Sequence, residues 1–172
     1  MRNSLKIATA AALLSCFAGA SVYAGTKIIQ KVEYFGTPAS SISSAVAIPK
    51  GVAAYWTSGT VPPLLNKEGT TVYERYGDTK TQAEGVLKTL EAGLKEQGLS
   101  LKDVTYLRVY IAPDAAKGGE YDYQGWFDAY AKFFNTEDNP TKPARSTVGV
   151  ASLVNPDWLI EIEAFAAYPK QK

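Results

Sequence analysis

The segment DTKTQAEGVLKTLEAGLKEQG, residues 78–98, is the feature that most constrains the fold of this chain. Its apolar residues recur at helical spacing and form one stripe, which predicts an amphipathic helix packed on another layer. The stripe consists of Ala83, Val86, Leu87, Leu90 and Leu94. Thr79 and Gln82 have the spacing of a capping box, and Gly98 suits the end of the helix.

A second helix is predicted over residues 123–134, YQGWFDAYAKFF. Its expected buried stripe is aromatic and consists of Trp126, Phe127, Tyr130, Phe133 and Phe134. The apolar runs 27–36, 52–62 and 103–112 predict strands, with a loop and a turn over 37–51 between the first two. The closing stretch, PARSTVGVASLVNPDWLIEIEAF at 143–165, predicts two more strands joined by a turn.

The predicted order is therefore β-β-α-β-α-β-β, an α+β fold in one domain over residues 25–172. Each strand–helix–strand step requires a right-handed crossover, which places both helices on the same face of one mixed sheet. The opposite face of that sheet is left without helices.

Side chains alternate across a strand, so each closing strand divides into two sets. The sets Ser146, Val148, Val150 and Ile160, Ile162, Ala164 are expected to lie under the helices. Arg145, Thr147, Glu161 and Glu163 are then expected on the uncovered face. Leu159 and Phe165 would make that face adhesive on a monomer, which favours self-association.

Arg145 and Glu161 should not meet within one chain. The closing strands run in opposite directions, and the two residues lie at different distances from the turn, which predicts an offset on the order of 20 Å. A site that uses both residues would need a neighbouring subunit to supply one of them. On residue statistics alone, these charged groups are more often simply solvated.

Residues 1–24 have the pattern of a secretory signal peptide. Arg2 and Lys6 precede an apolar stretch, and VYA at 22–24 is a small-x-small cleavage site, which predicts cleavage after Ala24 and export to the periplasm or beyond. The run is too short and too rich in Ala and Ser to favour a membrane span. LLSC at 13–16 offers an alternative, a lipoprotein with a lipid anchor at Cys16.

Composition excludes several kinds of chemistry. The chain has no His, and Cys16 is its one Cys, so cleavage after Ala24 leaves neither disulfides nor imidazole or thiolate chemistry. Of 18 basic residues, 16 remain against 17 acidic ones. A mature net charge of −1 without a basic cluster does not favour nucleic acid as a partner.

The segments GDTKTQAEGVLKTLEAGL, the W..YAKFF pattern and PARSTVGVASLVNPDWLIEIEAFA together resemble the RidA (YjgF-type) family over roughly residues 28–168. The resemblance implies a chorismate-mutase-like fold and a homotrimer with a ligand cleft at each subunit interface. It also implies hydrolytic deamination of reactive enamines and imines of small amino acids to 2-keto acids and ammonia, without a metal or cofactor.

The family's site residues carry over onto four positions of this chain. Arg145 matches the arginine that binds the substrate carboxylate, and Glu161 matches the glutamate that handles water; these are the candidate catalytic residues. Ser58 and Gly59 match residues that line the cleft. A guanidinium binds a carboxylate bidentately, and a carboxylate can transfer protons during water attack.

Three positions depart from the family pattern. Thr147 replaces the usual cysteine, Phe127 the usual asparagine of the second helix, and Ser44 a tyrosine near the second strand. Thr147 and Phe127 are therefore counted as substrate-binding candidates that alter the cleft. The alternative function is a binding protein without turnover, which would hold a small carboxylated metabolite between subunits. A ribonuclease is the poorest fit to a chain without His.

Overall fold

The computed structural model describes residues 28–169 and has the predicted α+β architecture. Its strands and helices are β1 Glu33–Phe35, β2 Ala45–Ala47, β3 Ala54–Trp56, α1 Val72–Tyr76, α2 Thr79–Glu96, β4 Val104–Ile111, α3 Tyr123–Tyr130, β5 Ala144–Gly149 and β6 Ile160–Ala167. The predicted order is confirmed, with two additions. Strand β2 lies where a loop was predicted, and the short α1 was not predicted. The signal segment and Cys16 lie outside the described residues.

The main sheet is mixed and has four strands in the order β3-β6-β4-β5. Strand β4 pairs parallel with β5 and antiparallel with β6, and β3 pairs antiparallel with β6. The two closing strands therefore run in opposite directions, as expected, but β4 lies between them. A separate hairpin of β1 and β2 approaches the start of β5 through a parallel bridge between Ser43 and Ala144.

Helices α2 and α3 pack on the same face of the main sheet, as the crossover rule predicts. Their apolar stripes form one core with the inward residues of β4 and β6. This core includes Leu87, Leu90 and Leu94 of α2, Trp126 of α3, Phe134 after α3, Leu107 and Val109 of β4, and Ile160 and Ile162 of β6. The opposite face of the sheet carries no helix within residues 28–169. This face is called the open face below.

The start of α2 differs from the predicted capping box. Asp78 is the N-cap, and its carboxylate accepts a hydrogen bond from the Thr81 amide at 2.9 Å. Thr79 is the first helical residue and is buried, so its hydroxyl is not available for the cap. The predicted box was wrong because the N-cap is Asp78, one residue before Thr79, and the Gln82 side chain turns into the protein.

The buried amide of Gln82 joins α2 to the loop before β6. Its nitrogen donates to the carbonyl oxygens of Gly77 at 3.1 Å and Asp157 at 3.0 Å. Its oxygen accepts from the Leu159 amide at 2.8 Å. One side chain thus satisfies backbone groups on both sides of the junction, which fixes where β6 begins.

Replacing Gln82 with leucine should destabilise the protein by about 3 kcal/mol, because buried backbone groups lose their partners while the volume is nearly kept. Urea denaturation measures the free energy of unfolding. Gln124→Leu is the matched control, since Gln124 is exposed on α3 and bonds only Asp128. The control should change stability by less than about 0.5 kcal/mol. Equal losses in the two variants would contradict this account of Gln82.

Candidate functional site

Arg145 and Thr147 lie on the helix-covered side of β5, so their predicted placement on the open face was wrong. Arg145 is in register with the buried Leu107 of β4, and Thr147 with the buried Val109. Neighbouring residues in register point to the same face of a sheet. Val148, expected under the helices, lies on the open face and is 44% exposed. The prediction assumed that the valines of β5 face the helices. Instead, the aromatic rings of α3 cover this edge of the sheet and contact Arg145 and Thr147.

The guanidinium of Arg145 is stacked against three aromatic rings of the α3 segment. Its central carbon lies 5.4 Å from the ring centroid of Trp126, 4.9 Å from that of Phe127 and 4.5 Å from that of Tyr130. These distances are in the range of cation–π attraction.

The same guanidinium has unused hydrogen-bonding capacity. Its Nη1 atom is buried and has no hydrogen-bond partner among residues 28–169. Burial lowers the pKa of Arg145, with Tyr130 acting in the opposite direction. Arginine still stays charged at neutral pH. Because a buried cation without a partner is costly, an anion is the natural complement of this group.

Two further residues shape the surroundings of Arg145. The Trp126 indole donates to the Thr147 hydroxyl at 3.3 Å, so Thr147 is held against α3. Phe127 was expected in the buried stripe but is 39% exposed, whereas Trp126 and Tyr130 are buried as predicted. Phe127 is thus the ring that both touches the guanidinium and reaches solvent.

Ser58 and Gly59 form a bulge at the end of β3, against β6. The Thr57 amide bonds the Ala164 carbonyl at 3.0 Å, and the Thr60 amide bonds the Ile162 carbonyl at 2.8 Å. Two residues, Ser58 and Gly59, therefore lie opposite one residue of β6, which is the pattern of a β-bulge.

Gly59 lies in close contact with the Glu161 side chain. A Cβ atom added to Gly59 would collide with the Glu161 carboxylate, so that carboxylate lies directly against the bulge. Ser58 beside it is exposed. The structure thus brings Ser58, Gly59 and Glu161 together at one place.

The Glu161 carboxylate lies on the open face next to a second carboxylate. Burial raises the pKa of Glu161, and the charge of Glu163 raises it further. Glu163 is itself engaged, because it accepts from the Arg108 guanidinium at 3.1 Å and from the Tyr110 hydroxyl at 3.0 Å. Glu161 has no ion pair among the described residues. A carboxylate whose pKa is raised and that has no cation partner is a stronger base than an ordinary glutamate, which suits it to accept and return a proton.

The roles of Arg108 and Tyr110 were missed by the sequence reasoning. The alternation of residues 103–112 contained a signal, because Tyr106, Arg108 and Tyr110 fall on one face of a strand. Their partnership with Glu163 could be identified only once the register of β4 and β6 was known.

Arg145 and Glu161 do not meet within one chain. Leu107 of β4 is in register with both Arg145 of β5 and Ala164 of β6, so Arg145 is level with Ala164. Ala164 lies three residues along β6 from Glu161. The Cα atoms of Arg145 and Glu161 are thus about 10 Å apart along the strands and about 10 Å apart across them. Moreover, the side chains point to opposite faces of the sheet. The expectation that the two residues do not meet within one chain is confirmed, but the predicted offset of about 20 Å along the strands was wrong, because the register gives about 10 Å.

The predicted site residues therefore form two half-sites. We call Arg145, Thr147 and Phe127 the arginine half-site, and Ser58, Gly59 and Glu161 the glutamate half-site. The arginine half-site lies at the outer strand of the sheet on the helix side. The glutamate half-site lies toward the other edge, on the open face.

Two kinds of site are absent from the described part of the chain. Residues 28–169 contain no group of three or more acidic, His or Cys side chains placed to hold a metal ion. In the same range, no helix combines the length and the apolarity needed to cross a bilayer.

The family is shown by comparison with known proteins. The Endoribonuclease L-PSP family matches residues 36–168, most of the chain. The chain belongs to this family, which is the RidA (YjgF-type) family indicated by its sequence motifs.

Individual relatives agree with this assignment. The chain is 34% identical to a protein named 3-aminoacrylate deaminase RutC from Acinetobacter baylyi, over 76% of this chain and 91% of the relative. It is similar to crystalline E. coli TdcF with bound serine, with 30% identity, a TM-score of 0.53 and coverage of 70% of this chain and 84% of TdcF. The Rid family protein YyfB from Yersinia pestis shares the fold, with a TM-score of 0.61, 23% identity and coverage of 80% and 99%.

Replacing Glu163 with glutamine should lower the pKa of Glu161, because the variant removes a neighbouring negative charge. The freed Arg108 guanidinium acts in the same direction. Carboxyl carbon NMR, followed through a pH titration, measures the change. Glu84→Gln is the control, since Glu84 bonds Lys132 on the helix layer and should leave the pKa of Glu161 unchanged. A Glu161 pKa that does not move in Glu163→Gln would contradict the proposed coupling.

Proposed function

We propose that this protein hydrolyses the reactive imines and enamines of amino acids to 2-keto acids and ammonia. The observation that carries the proposal is the Arg145 guanidinium, which is stacked on aromatic rings and has a buried N–H group without a partner in residues 28–169. A planar carboxylate, as in a 2-imino acid, fits this fork through two parallel hydrogen bonds. Similarity to a protein named 3-aminoacrylate deaminase supports the same chemistry.

The reaction needs only water and proton transfer. Water adds to the imine carbon of R–C(=NH)–COO⁻, so that a C–O bond forms, and the C–N bond then breaks with release of ammonia. The C=N π bond opens as the C–O bond forms, and Glu161 passes a proton from the water to the nitrogen, which gives a carbinolamine. Glu161 then passes the hydroxyl proton to the same nitrogen as the C–N bond breaks and the C=O bond forms. Arg145 holds the substrate carboxylate throughout. Gly59 leaves space for the Glu161 carboxylate, and Ser58 and Thr147 line the cleft.

A single chain cannot perform this reaction with both groups, because the two half-sites face opposite sides of the sheet. We therefore propose a homotrimer, in which Arg145 of one subunit meets Glu161 of the next. Within residues 28–169 the outer edge of β5 is unpaired beyond the bridge to Ala144, and such edges are commonly covered by another chain. The open face also exposes Trp56, which is 71% accessible, beside Phe165.

A binding protein without turnover is the alternative. Phe127 presents a ring to the guanidinium at the position where the family usually has an asparagine, so it offers no hydrogen bond to a substrate. Ser44 bonds the Phe35 carbonyl in the β1–β2 hairpin and does not replace a tyrosine side chain. A ribonuclease is not supported, because the chain lacks His and a basic cluster.

We also propose export, with cleavage after Ala24, on the pattern of residues 1–24. The intact mass of protein recovered from the producing cells distinguishes this from a lipid anchor at Cys16 or an uncleaved chain.

Replacing Arg145 with alanine should lower kcat/KM by at least about 100-fold, because charge-assisted bonds to the carboxylate are lost. Arg145→Lys keeps the charge but not the fork, and should lose about tenfold. The assay follows keto-acid release from imines made in situ by an amino-acid oxidase. Arg75→Lys is the control, since Arg75 pairs with Asp157 and belongs to neither half-site. Equal rates for wild type and Arg145→Ala would remove the proposed activity.

The shared site predicts complementation between two inactive variants. In a cyclic trimer of mixed Arg145→Ala and Glu161→Gln subunits, about one quarter of the clefts regain both groups. Refolding an equal mixture should therefore restore up to that fraction of wild-type activity, while each variant alone stays inactive. Sedimentation should show that both variants and the mixture keep the same oligomeric state. A mixture without activity would show that one subunit does not supply Arg145 and the next Glu161.

A further inference from the structure

The arginine half-site continues into exposed aromatic surface that imine hydrolysis itself does not need. We call Tyr121, Tyr123 and Phe127 the aromatic strip; all three rings are partly exposed, whereas the neighbouring Trp126 and Tyr130 are buried. Phe127 begins the strip at the guanidinium of Arg145. The strip therefore starts where a substrate carboxylate would be held.

The strip runs along the helix-facing side of β5. Tyr123 and Phe127 are four residues apart and so share one flank of α3. The ring centroids of Tyr121 and Tyr123 are 6.0 Å apart. At the far end, a Cβ on Gly149 would lie 2.9 Å from both Tyr121 Cε1 and Tyr123 Oη, so these rings cover the end of β5.

The length and polarity of this surface indicate what it can bind. Arg145 and Gly149 are separated by about 13 Å along the strand, far more than a methyl side chain spans. The intervening Thr147 hydroxyl already bonds the Trp126 indole, so rings dominate the surface offered to a ligand. Such a surface gains from burying apolar area and aromatic contacts.

We infer that the aromatic strip is the side-chain subsite of the cleft and selects 2-imino acids with large apolar or aromatic side chains. The inference rests on the proposed function and replaces the small side chains implied by the family resemblance. Arg145 binds the carboxylate common to all 2-imino acids and cannot discriminate among them. Selection among 2-imino acids therefore depends on the aromatic rings that the side chain of the substrate contacts.

Binding of the keto-acid products tests the subsite without relying on turnover. Calorimetry should show that the purified full chain binds 3-phenylpyruvate at least about tenfold more tightly than pyruvate. Phe127→Asn should reduce this ratio to less than about threefold, because the apolar contact is lost. Phe35→Asn is the matched control: Phe35 is 40% exposed, close to the 39% of Phe127, but lies on β1. It should leave the ratio unchanged.

The outcomes separate this inference from the proposed function. Equal affinities for the two keto acids, or a preference that survives Phe127→Asn, would overturn the subsite. If Phe127→Asn does not fold, Tyr123→Ala tests the same prediction. Hydrolysis of alanine- and phenylalanine-derived imines at equal kcat/KM would support the deaminase activity but contradict the subsite. Tighter binding of phenylpyruvate without hydrolysis of any imine would support the subsite but show that the protein binds its ligand without turnover.

A second copy of the chain could also cover the strip. In that case Phe127→Asn would change the sedimentation of the protein, and the two keto acids would bind with equal affinity. This result would show that the strip is an interface between subunits and not a side-chain subsite.

Discussion

The contact between the Arg145 guanidinium and the rings of Trp126, Phe127 and Tyr130 is the interaction on which the proposed function depends. The rings attract the cation but accept no conventional hydrogen bond, and the Nη1 atom is left without a partner among residues 28–169. An ion pair to a carboxylate of the same chain would have used that group. The aromatic setting therefore keeps a cation in place and still able to bind an anion. It also fixes α3 over β5, so the fold and the anion site share one contact.

The opposite charge is held by different means on the other side of the sheet. Arg108 and Tyr110 engage Glu163, whereas Glu161 rests against the bulge at Gly59 without a cation among the described residues. One glutamate of the pair is thus neutralised by its neighbours and the other is left with a raised pKa. This asymmetry suits a proton carrier better than two equivalent surface carboxylates would. It also explains why a sheet face tolerates both glutamates two residues apart.

Much of the fold followed from local patterns. The stripe of α2 and the aromatic repeat of α3 predicted both helices, and crossover handedness placed them on one face. The predictions failed where a pairing between distant segments decided the outcome. Strand β2 forms through its hairpin with β1, and the Gln82 amide joins the backbone before α2 to the loop before β6 instead of forming a capping box. The partner of Gln82 next to β6 lies 77 residues away in sequence, beyond the reach of a local pattern.

The sequence by itself determined the available chemistry and the family. A chain without His and with Cys16 as its one cysteine must rely on guanidinium, carboxylate, hydroxyl and backbone groups, and the motif around Arg145 marks it as RidA-like. Only the tertiary structure decided which side of the sheet each charge faces. Alternation along a strand gives two sets of side chains but does not say which set meets the helices. That choice depends on the register between β4 and β5 and on the rings that α3 lays over the edge, because both arise from packing between segments far apart in the chain.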